Sequence, residues 1–221
     1  MSKIISSSVA RKVSMALSAL FLLVFLLQHF TINITSVISP DTFNEWSHFM
    51  GTNPFVQFIA QPILIFGVIF HFVMGFILEA RNRAARGPVG YAKYAGSENA
   101  SWMSRNMLIS GLVILAFLIL HFIDFWIPEM NYKYIEVLPE DPTRYYHETV
   151  EKFHSPLRVG AYVIAFLLLS LHLLHGFQSS FQSMGFNNKY TPAIQKLGKA
   201  YAILIPLGFI FIAVFHHFNG H

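Results

Sequence analysis

The stretch Ile63-Leu-Ile-Phe-Gly-Val-Ile-Phe-His-Phe-Val-Met-Gly-Phe-Ile-Leu78, closed by Glu79-Ala-Arg-Asn-Arg83, decides the fold. Its one ionisable side chain is His71, and it ends a run of 33 residues, 46–78, without a formal charge. A helix needs about 20 apolar residues to cross the hydrocarbon core of a bilayer, so the run can span once and not twice. Its first third contains Gly51-Thr-Asn-Pro54, which is turn chemistry and is expected to form a loop, so the helix starts near residue 55.

Four more runs of the same kind flank it. Residues 13–40, 106–123, 159–188 and 200–221 carry no charge over 28, 18, 30 and 22 positions. The chain of 221 residues is 54% apolar and only 12% charged, where soluble domains average about 25% charged. The expectation is an all-α integral membrane bundle of five helices, near residues 13–38, 55–82, 104–127, 156–183 and 199–218, in one transmembrane domain over 1–221. The first run is longer than the 7–15-residue core of a signal peptide and has no small-x-small cleavage site, so it reads as a retained helix.

Basic residues orient the bundle. With the N-terminus inside, the inner segments hold eleven Lys and Arg (Lys3, Arg11, Lys12, Arg81, Arg83, Arg86, Lys93, Arg105, Lys189, Lys196, Lys199) and two acids. The outer segments hold four (Lys133, Arg144, Lys152, Arg158) and nine acids. Net charges of +9 inside and −5 outside total the +4 of the whole chain. This predicts the N-terminus inside and the C-terminus outside. The basic inner face suits anionic membrane lipid or a soluble partner. Gly87-Pro-Val-Gly90 breaks the second inner loop, and the acidic outer loop 128–153 reads as a loop with a short interfacial segment.

With no cysteine, disulfides, thiolate zinc sites, iron–sulfur clusters and covalent haem attachment are excluded within this chain. There is no Walker loop, no GxGxxG and no nucleophile elbow. The basic pI of 9.3 is accounted for by orientation, so nucleic-acid binding has no support.

Histidine is the residue in excess, with eleven copies against eleven acids. His29, His71 and His121 lie in the first three spans, and His172 and His175 in the fourth. An ionisable group at membrane depth is a functional-site hypothesis by default. A lone buried histidine is more often a satisfied core residue, but a series over four consecutive spans is not explained that way. At about 1.5 Å per residue, His29 is roughly 25 Å along its helix from Lys12, and His121 roughly 24 Å from Arg105, which puts both towards the outer face. His71, about 15 Å before Arg81, and His172 run on helices of the opposite sense and fall in the inner half.

An outer pair (His29, His121) and an inner pair (His71, His172) thus face each other at two depths. Facing histidines in a bundle suit an iron porphyrin ligated from both sides, whereas zinc asks for more ligands, with carboxylate or thiolate among them. The reading is two b haems. Gly67 and Gly75 sit four residues either side of His71, and Gly176 four after His172, giving bare backbone for a flat macrocycle; small residues also serve plain helix contact. His175, at i+3 from His172, is the rival ligand or a propionate partner. His216, His217 and His221 end the last helix and are expected to be solvated.

These stretches resemble a known family. Leu27-Gln-His29, Phe70-His-Phe-Val-Met-Gly75 with its basic tail, Ser101-Trp-Met-Ser-Arg-Asn-Met107, and Leu171-His-Leu-Leu-His-Gly-Phe-Gln178 followed by Ser179-Ser-Phe-Gln-Ser-Met-Gly185 are similar to the di-haem cytochrome b anchor of succinate:quinone oxidoreductases (succinate dehydrogenase and fumarate reductase). The resemblance covers nearly the whole chain. In the family's fourth-helix motif the ligand precedes a glycine by four, which favours His172 over His175.

The resemblance implies a multi-pass protein of the bacterial cytoplasmic (inner) membrane. It implies a flavoprotein subunit and an iron–sulfur subunit docked on the cytoplasmic face, and electrons passing through the inner and outer haems to a quinone, here menaquinone. Succinate chemistry would then belong to the flavoprotein, and this chain would contribute no catalytic residue, only the quinone site. That site is expected near the outer haem, with Glu45 and His48 as candidates and Asp124 and Trp126 close in depth. A cytochrome b subunit of a hydrogenase or formate dehydrogenase, or a non-haem transporter or anchor, are the competing readings. Pro62 and Pro206, the prolines well inside spans, do not form the matched halves expected of a transporter.

Overall fold

The computed structural model describes residues 7–86 and 106–219. Lys3, Gly87-Pro-Val-Gly90, Lys93, Glu98, Ser101-Trp-Met-Ser-Arg105 and His221, on which parts of the orientation and motif readings drew, lie outside the described residues, as does the side chain of Arg86.

Helix α1 is Ser8–Ile38 and α2 is Pro40–Thr52. A π-helical turn, Val56–Ala60, runs into α3, Gln61–Arg86. Helix α4, Met107–His121, continues through a π-helical turn Phe122–Trp126, the short α5 Ile127–Met130 and a second π-helical turn Asn131–Ile135. Then come α6 (Arg144–Phe153), α7 (Pro156–Ser183) and α8 (Thr191–Asn219). There is no strand among the described residues. Five helices, Ser8–Ile38, Val56–Ala85, Met107–Ile135, Pro156–Ser183 and Thr191–Asn219, are long and apolar enough to cross a membrane, which fits a multi-pass membrane protein.

The first helix begins at Ser8, ahead of the expected residue 13, and the boundaries depart from the sequence expectation in further places. Residues 46–52 are helical and not loop. Ser39 caps α2 by accepting the Thr42 N–H at 3.3 Å, Pro40 occupies the first turn, and Asp41 favours its positive end. The turn shrinks to Asn53, whose Oδ1 accepts from Phe55 N–H (3.0 Å) and Val56 N–H (3.2 Å) and so starts the next helix. The third span runs past residue 127 to Ile135, because π-helical turns adjust the ladder around Pro128. The last helix begins at Thr191 and not near 199: Ile194 packs inward and Gly198 is buried, while Lys196 and Lys199 stay exposed. Much of the expected outer loop is likewise helical: residues 128–135 continue the third span and 144–153 form α6.

Helices α7 and α8 make the closest pair, α1 packs on α3, α7 and α8, and α4 packs on α7, while α3 and α4 touch only lightly. The core lies along α7 and α8, with Tyr162, Phe166, Ile205, Phe209 and Ile212 in one cluster and Leu173, Phe177 and Ala202 in another. Val24, Phe66, Ile109, Ile164 and Leu204 point outward, as a lipid-facing surface requires. Glycines allow close helix crossings: a Cβ on Gly208 would lie 2.3 Å from the Phe30 ring and one on Gly198 2.5 Å from Phe177, so either ring would have to shift.

Pro206 sits inside α8 and has no N–H for the carbonyl of Ala202, four residues back. In hydrocarbon an orphaned carbonyl has no water to turn to. Ser170 of α7 supplies the donor, its hydroxyl bonding the Ala202 oxygen at 2.7 Å. Ser170→Ala is expected to lower stability by about 1 kcal/mol, the scale of interhelical hydrogen bonds in membranes. In a Pro206→Ala background, which restores the N–H, the same change should cost clearly less. Unfolding curves in detergent check this, and equal losses in the two backgrounds would refute it.

Candidate functional site

The four sequence-paired histidines meet two by two. The His29 (α1) and His121 (α4) rings have centroids 5.8 Å apart at 85°. The His71 (α3) and His172 (α7) rings have centroids 6.4 Å apart at 66°. Ser18, which touches His71, precedes His29 by 11 residues on α1, so the pairs are separated by roughly 16 Å along the bundle.

The His71–His172 pair is held by two serines that sequence reasoning missed. His71 Nδ1 lies 3.1 Å from Ser18 Oγ on α1, and His172 Nδ1 3.1 Å from Ser110 Oγ on α4. His172, and not His175, faces His71; His175 lies one turn on, with no hydrogen bond among the described residues. The three glycines border neighbouring helices. A Cβ on Gly67 would press on Phe21 at 2.7 Å, one on Gly75 would lie 3.8 Å from Met15, and one on Gly176 3.5 Å from Met107. A fourth, Gly111, lies beside the histidine itself, 3.9 Å from His172 Cε1 by the same measure.

Aromatic rings box the His29–His121 pair. Phe25 and Phe209 lie against His29, at 5.4 and 5.7 Å between centroids, and Phe117, Phe125 and Tyr162 against His121, at 5.8, 5.2 and 6.4 Å. Asn33 Nδ2 lies 3.4 Å from His29 Nδ1 and donates to the His29 carbonyl at 2.8 Å. His121 Nδ1 is buried without a hydrogen-bond partner. The π-helical turn that follows His121 carries Asp124, and such turns recur at functional sites.

Asp124 is not at the end of its span but inside it, 2% exposed. Its Oδ2 accepts from the Tyr162 hydroxyl at 2.8 Å, and its Oδ1 meets Arg158 Nη2 at 3.0 Å. A carboxylate can be buried there because it is paired and hydrogen-bonded. Tyr162, which also packs on His121, links this pair to the histidines, and neither Tyr162 nor Arg158 was legible as its partner in one dimension.

The other site candidates separate. Glu45 is exposed at the rim of a groove of about 680 Å³ between α1 and α2, with Gln28, Thr31, Trp46, Phe49 and Met50 in its walls. His48 is not in that groove. It lies 3.9 Å from Glu140 in a polar cavity of about 260 Å³ with Tyr132, Lys133, Arg144 and Tyr145. Trp126 lies against Phe122, with ring centroids 5.7 Å apart and tilted by 42°, and is exposed.

In that cavity wall the Arg144 guanidinium lies between the Tyr132 and Tyr145 rings, 4.1 and 4.4 Å from their centroids, and forks to Glu129 and Glu148. Burial works against its charge, but the hydrogen bonds to the two glutamates outweigh it and raise Arg144 above the ordinary arginine range. Burial, and then the Glu129 charge, push the Tyr145 hydroxyl up to about 12. His216, expected to be solvated, is instead 1% exposed: its Nε2 lies 2.8 Å from Ser36 Oγ under Tyr146 and Phe153.

Each histidine pair offers two nitrogens and nothing more. Among the described residues no three His, Cys, Asp or Glu come together in a metal-holding group. A bare zinc ion wants four ligands. The chain was compared with family models, curated proteins and solved structures, and none matches.

Asp124→Ala strands the Arg158 charge and the Tyr162 hydroxyl together. It is expected to cost more than Tyr162→Phe, which removes one hydrogen bond worth about 1 kcal/mol. Thermal unfolding of the two variants in detergent ranks them, and equal losses would contradict the ion-pair account.

Proposed function

We propose that the chain is the di-haem cytochrome b membrane anchor of a succinate:quinone oxidoreductase. It carries electrons between a flavoprotein and iron–sulfur subunit pair and a membrane quinone. The supporting observation is the meeting of four histidines from four helices, two by two, at two depths. An imidazole nitrogen binds a transition metal at about 2.0–2.1 Å, so two rings ligating one ion from opposite sides hold their centroids roughly 6 Å apart. The separations of 5.8 and 6.4 Å agree with that span. Two nitrogen donors without a carboxylate suit a metal that brings its own equatorial ligands, as iron does in a porphyrin.

In this reading His29 and His121 hold one haem b, and His71 and His172 the other. Haem b supplies a reversible one-electron carrier at each pair. The phenyl rings of Phe25, Phe117, Phe125 and Phe209 keep water from the His29–His121 pair. The charge asymmetry orients the N-terminus to the cytoplasm of a bacterium, with the basic face towards the partner subunits and anionic lipid, and the His29–His121 pair towards the outside.

Quinone, in this reading menaquinone, takes the groove between α1 and α2. Its volume of about 680 Å³ is within the usual ligand-pocket range of about 300–1,000 Å³, and its wall includes Gln28, next in sequence to His29. Reducing a quinone to a quinol takes two electrons and two protons. The exposed carboxylate of Glu45 can exchange protons between water and a quinone oxygen held beside it.

A pyridine haemochrome assay on the purified chain is expected to give two protohaems per copy. Replacing His71 or His172 by Ala should remove one, His29 or His121 the other, and His175 neither. Co-purification of a subunit with covalent flavin separates this reading from the hydrogenase and formate dehydrogenase cytochromes. A chain without haem would sink it.

A further inference from the structure

Three buried serines repeat one local device. The Ser18 hydroxyl donates to Met15 O at 2.8 Å, that of Ser110 to Met107 O at 2.9 Å, and that of Ser36 to Asn33 O at 2.7 Å. Each carbonyl is three residues back in the serine's own helix. A hydroxyl whose hydrogen is committed in this way has only lone pairs to offer sideways. What it meets sideways is in every case an imidazole nitrogen on another helix: His71 Nδ1, His172 Nδ1 and His216 Nε2.

The contacted nitrogen must therefore carry the hydrogen and donate it. A neutral imidazole then keeps its lone pair on the other nitrogen. For His71 and His172 that nitrogen is Nε2, so both rings of this pair are set to the tautomer that ligates a metal through Nε2. The same device is built twice, from α1 onto α3 and from α4 onto α7, at the two rings that face each other.

The His29–His121 pair has nothing equivalent. His121 Nδ1 is buried with no partner. His29 Nδ1 faces the Asn33 amide nitrogen at 3.4 Å, a donor group that cannot accept an N–H.

We propose that Ser18 and Ser110 are positioning residues for the haem held by His71 and His172. They fix the Nδ1–H tautomer, aim the ring and strengthen Nε2 as a donor, and so hold the midpoint potential of that haem below what bare imidazoles would give it. The inference rests on the two-haem reading. An imidazole that donates its free N–H is a more basic ligand, and a more basic ligand favours the oxidised iron. The two haems are thereby tuned separately, because the hydroxyls touch one pair only.

The experiment uses the full chain purified with its haems, titrated redox-optically. The wave lost in His71→Ala belongs to the His71–His172 haem, and the wave that remains to the His29–His121 haem. Ser18→Ala and Ser110→Ala are each expected to raise the potential of the His71–His172 haem and leave the other unmoved. The double variant should shift further, and haem retention at this pair should weaken by about 10–100-fold, the usual effect of removing such a partner. Ser18→Thr and Ser110→Thr, which keep a hydroxyl able to bond its own helix, should restore the wild-type potential. Ser36→Ala, which removes the same device from His216, should move neither haem.

If an alanine variant loses its haem outright, Ser18→Cys and Ser110→Cys, weaker acceptors of similar size, should show a smaller upward shift. A chain with two haems whose potentials ignore all the Ser18 and Ser110 changes overturns the inference and leaves the two-haem reading standing. So does an equal shift of both haems, or a shift of the same size from Ser36→Ala. A wild-type chain without haem overturns the reading itself and this inference with it.

Discussion

An imidazole ring buried in hydrocarbon has two nitrogens to satisfy and no water to do it with. For His71, His172 and His216 a partner comes from a serine on a neighbouring helix. This constraint organises the bundle. Ser18 ties α1 to α3 through His71, Ser110 ties α4 to α7 through His172, and Ser36 ties α1 to α8 through His216. Each bond joins two helices at one depth, and a sliding or rotation of either helix would leave a polar atom stranded. Apolar packing alone does not impose such a register, because lipid tails are as apolar as leucine and helix association in a bilayer lacks the hydrophobic driving force.

The backbone answers to the same rule. Pro206 breaks the ladder of α8, and the carbonyl it frees at Ala202 is met by Ser170 from α7. Tyr201 reaches across from α8 to the Leu23 carbonyl of α1 at 2.6 Å. At the end of the bundle covered by α2 and α6, where water is at hand, the solution changes to charge. There Arg144 joins Glu129, Glu148, Tyr132 and Tyr145 in one cluster, and Lys133 bonds Glu129 and the Gly51 carbonyl. Thr143 holds the Asp141 carboxyl below its ordinary value through side-chain and backbone hydrogen bonds. Charged groups of this kind are cheap at a wet interface and costly in the hydrocarbon core. That is why the charged pair inside a span, Asp124 with Arg158, carries Tyr162 as a further donor.

What was legible in one dimension follows from these physics. The spans could be counted because hydrocarbon excludes charge over a fixed thickness. The histidines could be paired by depth because an α-helix advances by a constant rise, so position along the axis is a matter of counting. Rotation about the axis is not, and one group of missed features depends on it: the serines behind His71 and His172, Tyr162 behind Asp124, and the burial of His216. The surface helices were missed for another reason. The sequences of α2 and α6 are short and rich in polar residues, and hydropathy reads them as loop, although Phe43, Asn44, Thr149, Val150 and Phe153 form buried stripes on them. Asn44 then joins the two helices by accepting the Tyr146 N–H at 2.8 Å, a contact 102 residues apart in the chain.

The two histidine pairs are made of the same side chains and set in different surroundings. One is backed by hydroxyls and bare glycine backbone, with Ser18, Ser110 and Gly111 against its rings. The other sits in a box of phenyl rings, one tyrosine away from the ion pair of buried Asp124 with partly exposed Arg158. In the proposed function the hydroxyl acceptors would act through the imidazole, by changing how strongly it donates to a metal. An ion pair acts through space, and at an effective dielectric near 20 a unit charge at about 10 Å is worth on the order of 1–2 kcal/mol. Because Asp124 and Arg158 are opposite in sign and 3.0 Å apart, most of that field cancels, leaving the orientation of the dipole to set its sign at His121. In the proposed function this difference would give the two carriers different potentials, because axial-ligand basicity and local charge both tune a haem.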